Sequence, residues 1–404
     1  MLYDSGFLIS SLLVLQLIPN AAALLDFLKF DHGRFSRRAD SFKAFDVNPN
    51  GSTFLWVPQD EYAGKNFFDG FGFYDGADPT HGMVNSYLKR QSYVNASTAF
   101  GEGLAFVRDD GVAVIKGDDT NWLADGEYRK SVRISTYAQY NTGLFILDTN
   151  TIPWGCGKII PWAPLYIHSR LSSYMAGVLD AGLRELAIRV HDNQHNQVAW
   201  HTAPGCMLNP NASFTGTVVQ DGGTNNTDCN GLINNNAGCG ITEWSRASYG
   251  PLFDQQGGGV VAMKWDENGI AVWSFFRAAV PQDIVANAPN PSLWGEPSAL
   301  LMPQECDPIQ YFKNHSIIIN ITFCGDWAGN SYATSGCPGT CAERLKNPAN
   351  FANASWNINH LRVYRKQLFN GHVSAAVPLT VSPSLVGMAT LIMGWIVSLA
   401  YLGL

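Results

Sequence analysis

The sequence predicts an all-β protein, an antiparallel sandwich or jelly roll, and three observations support this. From about Ser52 onwards, runs of aromatic and β-branched residues alternate with turns rich in Gly, Asp and Asn. The 404 residues include 39 Gly and 20 Pro, which interrupt helices. Few long stretches have helical periodicity. Many short strands separated by such turns are typical of two packed antiparallel sheets.

Strand-like segments follow one another along the middle of the chain. They show no internal repeat, so we place them in one domain at residues 52–367, after a basic linker at 24–51. The segments are Thr53–Val57, Gly111–Ile115, Ser131–Ile134, Phe214–Val219, Gly259–Lys264, Ile270–Arg277, Ser316–Phe323 and Asn357–Tyr364.

Both ends of the chain are apolar. Phe7–Ile18 has the length of a signal-peptide core, and Ala21-x-Ala23 offers a cleavage site, so 1–23 is predicted to be a signal peptide. An uncleaved anchor is the alternative, because no Lys or Arg precedes the apolar run. At the other end, a spacer at 368–384 leads into Leu385–Leu404, which has no charged residue. This layout favours a glycolipid (GPI) anchor signal, with a transmembrane helix as the alternative.

Charge and cysteine usage indicate a secreted or cell-surface protein. The net charge of −7 provides no basic surface for nucleic acid, and we expect a monomer. All eight cysteines lie between Cys156 and Cys341, and seven Asn-x-Ser/Thr sequons are present. Disulfides are favoured over a zinc site, because Cys337-x-x-x-Cys341 has no second pair of ligands nearby. Eight cysteines allow on the order of a hundred pairings, so none is assigned. No metal or cofactor is expected.

Several short sequence phrases, taken together and in order, carry a specific resemblance. They include Asn66-Phe67-Phe68-Asp69-Gly70-Phe71, Asp78-Pro79-Thr80-His81-Gly82, Arg129-Lys130-Ser131-Val132-Arg133, Trp200-His201-Thr202-Ala203-Pro204-Gly205-Cys206 and Cys324-Gly325-Asp326-Trp327-Ala328-Gly329. From about Phe54 to Tyr364 the chain resembles fungal family 16 glycoside hydrolases, the endo-β-1,3(4)-glucanases or laminarinases. The resemblance implies a concanavalin A-like jelly roll of two curved antiparallel sheets, with a cleft on the concave face for β-1,3 or mixed β-1,3/1,4-glucan.

The resemblance also implies a catalytic strand, and this chain departs from it. The family cleaves with retention through the two glutamates of Glu-x-Asp-x-x-Glu, and retaining chemistry needs carboxyls only about 5–5.5 Å apart. A bulge in the strand can bring both onto one face. Counting back from Val190-His191-Asp192-Asn193, the three acidic positions fall on Leu183, Glu185 and Ile188, and the motif occurs nowhere else. Whether the chain is an enzyme is therefore open.

The departure belongs to a sharply bounded segment. Apolar residues in Ser172–Val190 recur at three-and-four spacing, which predicts an atypical helical insert near 158–190. One hypothesis is a splicing or gene-model error in an active glucanase. The second is a catalytically inactive glucan-binding surface protein. The third is a non-functional product, because replacing a central strand leaves neighbouring backbone groups unpaired.

Four residues are candidates for the site. Glu185 is the only carboxylate near the family's catalytic register, with a solvated helix face as the alternative. His201, Trp273 and Trp327 match cleft positions of the family and are predicted to bind substrate. For His201 the alternative is a structural strand histidine. For each tryptophan the alternative is core packing.

Overall fold

The computed structural model describes part of the chain. The described residues are 46–75, 91–155 except 126 and 128, 166–169, 185–191, 195–324 except 235 and 236, and 332–369 except 335. For 91–92, 166–169 and 185–191 only the backbone is considered. Both apolar ends of the chain and Trp327 lie outside the described residues.

Strands dominate the described residues. In chain order they are β1 (Asp46–Val47), β2 (Thr53–Ala63), β3 (Phe71–Phe73), β4 (Gln91–Tyr93), β5 (Ala105–Val107), β6 (Ala113–Lys116), β7 (Arg129–Ser131), β8 (Arg133–Thr136), β9 (Gly143–Thr151), β10 (Tyr166–Ser169), β11 (Glu185–His191), β12 (His195–His201), β13 (Thr217–Val218), β14 (Gln220–Asp221), β15 (Thr224–Asn225), β16 (Cys239–Glu243), β17 (Gly259–Asp266), β18 (Gly269–Phe276), β19 (Ala299–Leu301), β20 (His315–Asn320) and β21 (Ser355–Leu368).

The α-helices among the described residues are short and lie between strands. They are α1 (Ala96–Gly101), α2 (Pro251–Gln255), α3 (Gln282–Val285), α4 (Pro308–Tyr311) and α5 (Cys341–Lys346). Turns of 3-10 helix occur at Gly64–Gly70, Arg246–Ser248, Arg277–Ala279, Pro291–Leu293, Tyr332–Thr334 and Pro348–Phe351. Within the described ranges, none of the helices is long and apolar enough to cross a membrane.

Three large sheets form two layers. The first layer is a nine-stranded sheet in the order β1-β2-β21-β9-β17-β18-β19, with β6 and β5 added beside β21. The second layer consists of two four-stranded sheets, β10-β20-β8-β3 and β11-β12-β16-β13, which adjoin where β10 contacts β11. All pairings in these three sheets are antiparallel, as predicted for a sandwich.

The main hydrophobic core lies between the two layers. Val261 and Val272 of the nine-stranded sheet share this core with Ile319 of one smaller sheet and Trp200 of the other. Because successive strand residues point to opposite faces, the neighbour of Val272 on β18, Trp273, lies on the far side. There it belongs to a second cluster that covers the outer face of the nine-stranded sheet.

Every predicted strand segment contains a strand, although Phe214–Val219 does so only at Thr217–Val218. The helix prediction is wrong where the structure describes the segment. Glu185–His191 is strand β11, and it pairs with β12 over seven consecutive positions, from Glu185 opposite His201 to His191 opposite His195. Tyr166–Ser169 is also a strand, paired with β20. Leu186, Ile188 and Val190 alternate with period two as well as fitting a helical spacing, and pairing with β12 selects the strand. The backbone of β12 is therefore paired here, so the unpaired backbone groups that motivated the third hypothesis are not found along this strand.

Disulfide bonds close the loops around the second layer, as the even number of cysteines predicted. They join Cys206 to Cys306, Cys229 to Cys239 and Cys324 to Cys341. Cys337 is also disulfide-bonded. The zinc alternative for Cys337 and Cys341 is therefore wrong, because thiols consumed in disulfides cannot act as thiolate ligands.

Candidate functional site

Strand β12 has one face in the core and one face turned away from it. Val198 and Trp200 are completely buried in the main core. Alternation along the strand then places His195, Gln197 and His201 on the opposite side. We call this side, together with the matching side of β16, the β12 face.

Strand β16 extends the β12 face. Gln197 is opposite Thr242 and Ala199 is opposite Gly240. Cys239 and Ile241 belong to the core, so the alternating positions Gly240 and Thr242 lie beside β12 on the outer side. Trp244 follows directly after the strand and continues this alternation.

Trp244 is held on the β12 face with much of its indole in solvent. Its side chain is 47% exposed. Its Nε1–H donates a hydrogen bond to Thr217 Oγ1 at 2.8 Å, and its ring meets the imidazole of His195 edge-on at 4.8 Å. With the polar edge satisfied and the ring orientation fixed, the indole can receive the apolar face of a sugar ring. Sequence reasoning missed Trp244. The usable signal was strand alternation, which puts Trp244 on the same side as Thr242, two residues before it.

His201 lies at the other end of the β12 face and is completely buried. Gly238 closes over it with φ of +60°, a left-handed conformation that favours glycine. A Cβ at Gly238 would lie 2.4 Å from Trp200 O and 2.7 Å from His201 Nδ1. His201 is thus fixed opposite Glu185 of β11 and does not reach solvent, and its predicted role in binding substrate stays a prediction.

The backbone of β11 places Glu185 beside His201. It does not put positions 185 and 188, which are acidic in the family's motif, on one face of the strand. Glu185 is the Cα partner of His201, whereas Ile188 is the Cα partner of the core residue Val198. Positions three apart on a regular strand lie on opposite faces. Along the described strand the register has no shift, so the bulge that the family's motif requires is not present there.

Trp273, one of the two tryptophans predicted to bind substrate, is not brought to the β12 face. Trp273 is 7% exposed, donates its Nε1–H to Gly295 O at 3.1 Å and packs edge-on against Trp294 at 5.3 Å. It therefore packs on the outer side of the nine-stranded sheet, which the main core separates from the β12 face. Trp327 lies outside the described residues.

A buried acid lies behind the β12 face. Glu243, the last residue of β16, is opposite Asn196 and accepts a hydrogen bond from Ser274 Oγ on β18 at 2.9 Å. Burial raises the pKa of Glu243 to about 7, although hydrogen bonds from Ser274 and Ser298 act to lower it. Because it lies between the two layers, its role in the fold is to join them.

The architecture defines the class of protein first: a two-layer antiparallel β-sandwich with a jelly-roll order of strands. Residues 71–364 match the family profile described as an "XgeA-like, catalytic GH16 domain". Because the match covers most of the chain, the protein belongs to glycoside hydrolase family 16.

Individual relatives agree with this family. A probable glycosidase of Schizosaccharomyces pombe is 37% identical over 310 residues, which cover 76% of this chain and 68% of that protein. An endo-1,3(4)-beta-glucanase of Arthroderma benhamiae is 36% identical over 321 residues, 77% of this chain and 65% of that protein. The chain thus spans about two thirds of the length of these two relatives. A solved structure of family 16 laminarinase 16A from Phanerochaete chrysosporium, described with beta-glucans in donor and acceptor sites, has a TM-score of 0.66 and 34% identity, and covers 77% of this chain and 100% of that one.

Proposed function

We propose that this protein binds β-1,3 or mixed β-1,3/1,4-glucan on the β12 face. We also propose that a chain with this sequence does not hydrolyse the polymer. The observation that carries the proposal is Trp244, an oriented and accessible indole on the face beside β11. The names of the relatives and the laminarinase likeness support glucan as the polymer.

Hydrolysis is not expected because the reacting groups are missing from their positions. A retaining enzyme needs one carboxylate to attack the anomeric carbon and one acid to protonate the leaving oxygen. Leu183 and Ile188 occupy the two glutamate positions, and neither side chain can perform these steps. Glu185 corresponds to the central aspartate of the motif and stays the candidate catalytic residue, but one carboxylate cannot fill both roles.

The second candidate function is that of an ordinary retaining endoglucanase encoded by a differently spliced message. The observation that favours it is the register of β11, which pairs with β12 where the family's catalytic strand is expected. Sequencing transcripts across the codons for Trp154 to His201 tests it. A message encoding Glu-x-Asp-x-x-Glu directly before Val190-His191-Asp192 would support the endoglucanase, and messages encoding only the printed segment would refute it.

Binding and hydrolysis are tested on the same protein sample. Laminarihexaose, a β-1,3-linked hexasaccharide, is titrated calorimetrically into the wild type and into Trp244→Ala, and the mixtures are then analysed for shorter products. We expect saturable binding without products, and about tenfold weaker binding by the variant because the stacking surface is lost. Leu293→Ala removes an exposed apolar side chain elsewhere and is the matched control. Equal affinity of the wild type and Trp244→Ala would refute the role of the β12 face.

Location and attachment complete the proposal. Disulfides at Cys206–Cys306 and the other pairs require an oxidising history, which supports secretion or display at the cell surface. We propose the predicted signal peptide at 1–23, the linker at 24–51, the domain at 52–367, the spacer at 368–384 and the anchor signal at 385–404 as the organisation of the chain. A monomeric state belongs to the same proposal, and light scattering of the secreted protein tests it.

A further inference from the structure

A polar pocket lies beside the loop between β6 and β7 and includes no residue of the β12 face. Its volume is about 760 Å³. Trp122 is the aromatic side chain in its lining. The hydrogen-bonding side chains of the lining include Glu102, Asn121, Glu127 and Lys130. Trp122 is 70% exposed, the largest exposed fraction among the exposed large apolar side chains of the described residues.

The backbone on both sides of Trp122 is fixed. Asn121 O accepts a hydrogen bond from Arg129 Nη2 at 3.1 Å, and Leu123 N–H donates to Lys346 O at 3.1 Å. Arg129 is completely buried, and its guanidinium lies 4.4 Å from the centre of the Phe351 ring. The exposed indole therefore projects from a braced loop, which reduces the entropy lost when a ligand stacks on it.

Asp118 is the second brace of this loop. Its carboxylate accepts hydrogen bonds from the backbone N–H and hydroxyl of Thr120 and from the backbone and side chain of Asn121. It also lies 3.6 Å from Arg129. Burial alone would raise the pKa of Asp118, but these hydrogen bonds outweigh burial and lower it. Asp118 is thus committed to the loop and is not a free anionic ligand.

The other charged side chains of the pocket also have partners in the protein. Lys130 Nζ lies 2.5 Å from Glu102 Oε1, with both side chains about 40% exposed. Glu127 Oε2 accepts the N–H of Ala124 at 2.7 Å. Among the described residues, no group of three His, Cys, Asp or Glu side chains could hold a metal ion. The rim thus has three carboxylates and one ammonium group, each with a partner in the protein. Beside an exposed indole such a rim fits a polyol, because sugar hydroxyls donate to carboxylates and to the Asn121 amide oxygen and accept from Lys130.

We propose that this pocket is a second carbohydrate-binding site, in which Trp122 stacks on a glucose ring of a β-glucan chain and Glu102, Asn121 and Lys130 bond its hydroxyls. The choice of glucan rests on the proposed function, whereas the site itself rests on its own geometry. Two sites on one domain raise the affinity for a long polymer more than that for a short oligosaccharide, because the second contact becomes intramolecular.

The test observes each tryptophan separately. The protein is labelled with 5-fluorotryptophan, and the ¹⁹F resonances of Trp122 and Trp244 are assigned with Trp122→Phe and Trp244→Phe. Laminarihexaose is then titrated, with pentalysine as a cationic peptide probe. We expect the Trp122 resonance to shift saturably with the hexasaccharide, also in Trp244→Phe, and not with pentalysine. In parallel, Trp122→Ala should bind laminarin polymer about tenfold more weakly than the wild type. Leu293→Ala should not change this affinity.

The outcomes separate the two proposals. A shift at Trp244 with no shift at Trp122 overturns the second site and leaves the proposed function standing. A shift at Trp122 alone supports the second site and overturns binding on the β12 face. Movement of the Trp122 resonance with pentalysine but not with laminarihexaose overturns the carbohydrate assignment, and no shift at either tryptophan overturns both proposals.

Discussion

Glu243 should make the folded protein less stable as the pH rises from about 4.5 to about 7. Its carboxyl is buried between the layers, with a pKa raised by burial from the ordinary value of 4.5 to about 7. A group whose pKa is raised by folding stabilises fully below its unfolded value and loses this contribution as the pH passes its folded value. The window therefore runs from about pH 4.5 to about pH 7, an interval of about 2.5, which corresponds to about 3 kcal/mol of unfolding free energy.

The assay compares the wild type with Glu243→Gln, whose amide can still bond Ser274 but does not titrate. Urea unfolding followed by tryptophan fluorescence gives the unfolding free energy of each at pH 4.5 and pH 8. Asp254, whose pKa burial raises to about 6, contributes equally to both proteins and cancels in the difference. We expect the wild type to lose about 3 kcal/mol relative to Glu243→Gln between these pH values. Parallel pH profiles for the two proteins would show that Glu243 does not cause this pH dependence.

Three further predictions concern stability, and urea unfolding at pH 6 measures all of them. Arg129→Met should lower the unfolding free energy by about 3–5 kcal/mol, because Asp118 stays buried without its cation; a loss below about 1 kcal/mol would contradict this. Gly238→Ala should lower the unfolding free energy by about 2 kcal/mol or more, because Gly238 has a left-handed backbone and an added Cβ would lie against Trp200 O. An unchanged unfolding free energy would contradict the close contact at Gly238. Replacing Cys206 and Cys306 together by Ala removes the bond that closes a loop of 100 residues and should lower the unfolding free energy by about 4 kcal/mol. An unchanged unfolding free energy of the double variant would contradict this.

Much of the fold follows from the sequence because the strands carry strong local signals. The segments Gly259–Lys264 and Ile270–Arg277 are dense in β-branched and aromatic residues, and they correspond to β17 and β18. At β11 the local signal is ambiguous, since its apolar residues satisfy both a helical and a strand spacing. Hydrogen bonding to β12 decides the conformation there, and no window of the sequence contains that partner strand.

The candidate site was less predictable, because exposure depends on what covers a side chain. Trp273 and Trp244 look alike in sequence, yet Trp294 and Ile284 belong to the cluster that buries the first while the second is nearly half exposed. Asn320 illustrates the same limit. It lies in a sequon, but it is 3% exposed and donates its side-chain amide to the Tyr93 hydroxyl at 2.7 Å, so the folded protein cannot carry a glycan there.

Glucan binding without hydrolysis is tested by measuring both binding and cleavage of laminarihexaose by the purified protein whose sequence is confirmed through residues 158–189. We expect saturable binding that weakens in Trp244→Ala, with the hexasaccharide intact after prolonged incubation. Release of shorter laminarioligosaccharides that is abolished by Glu185→Gln would contradict this expectation, because a catalytic pair that includes Glu185 would then exist in this chain.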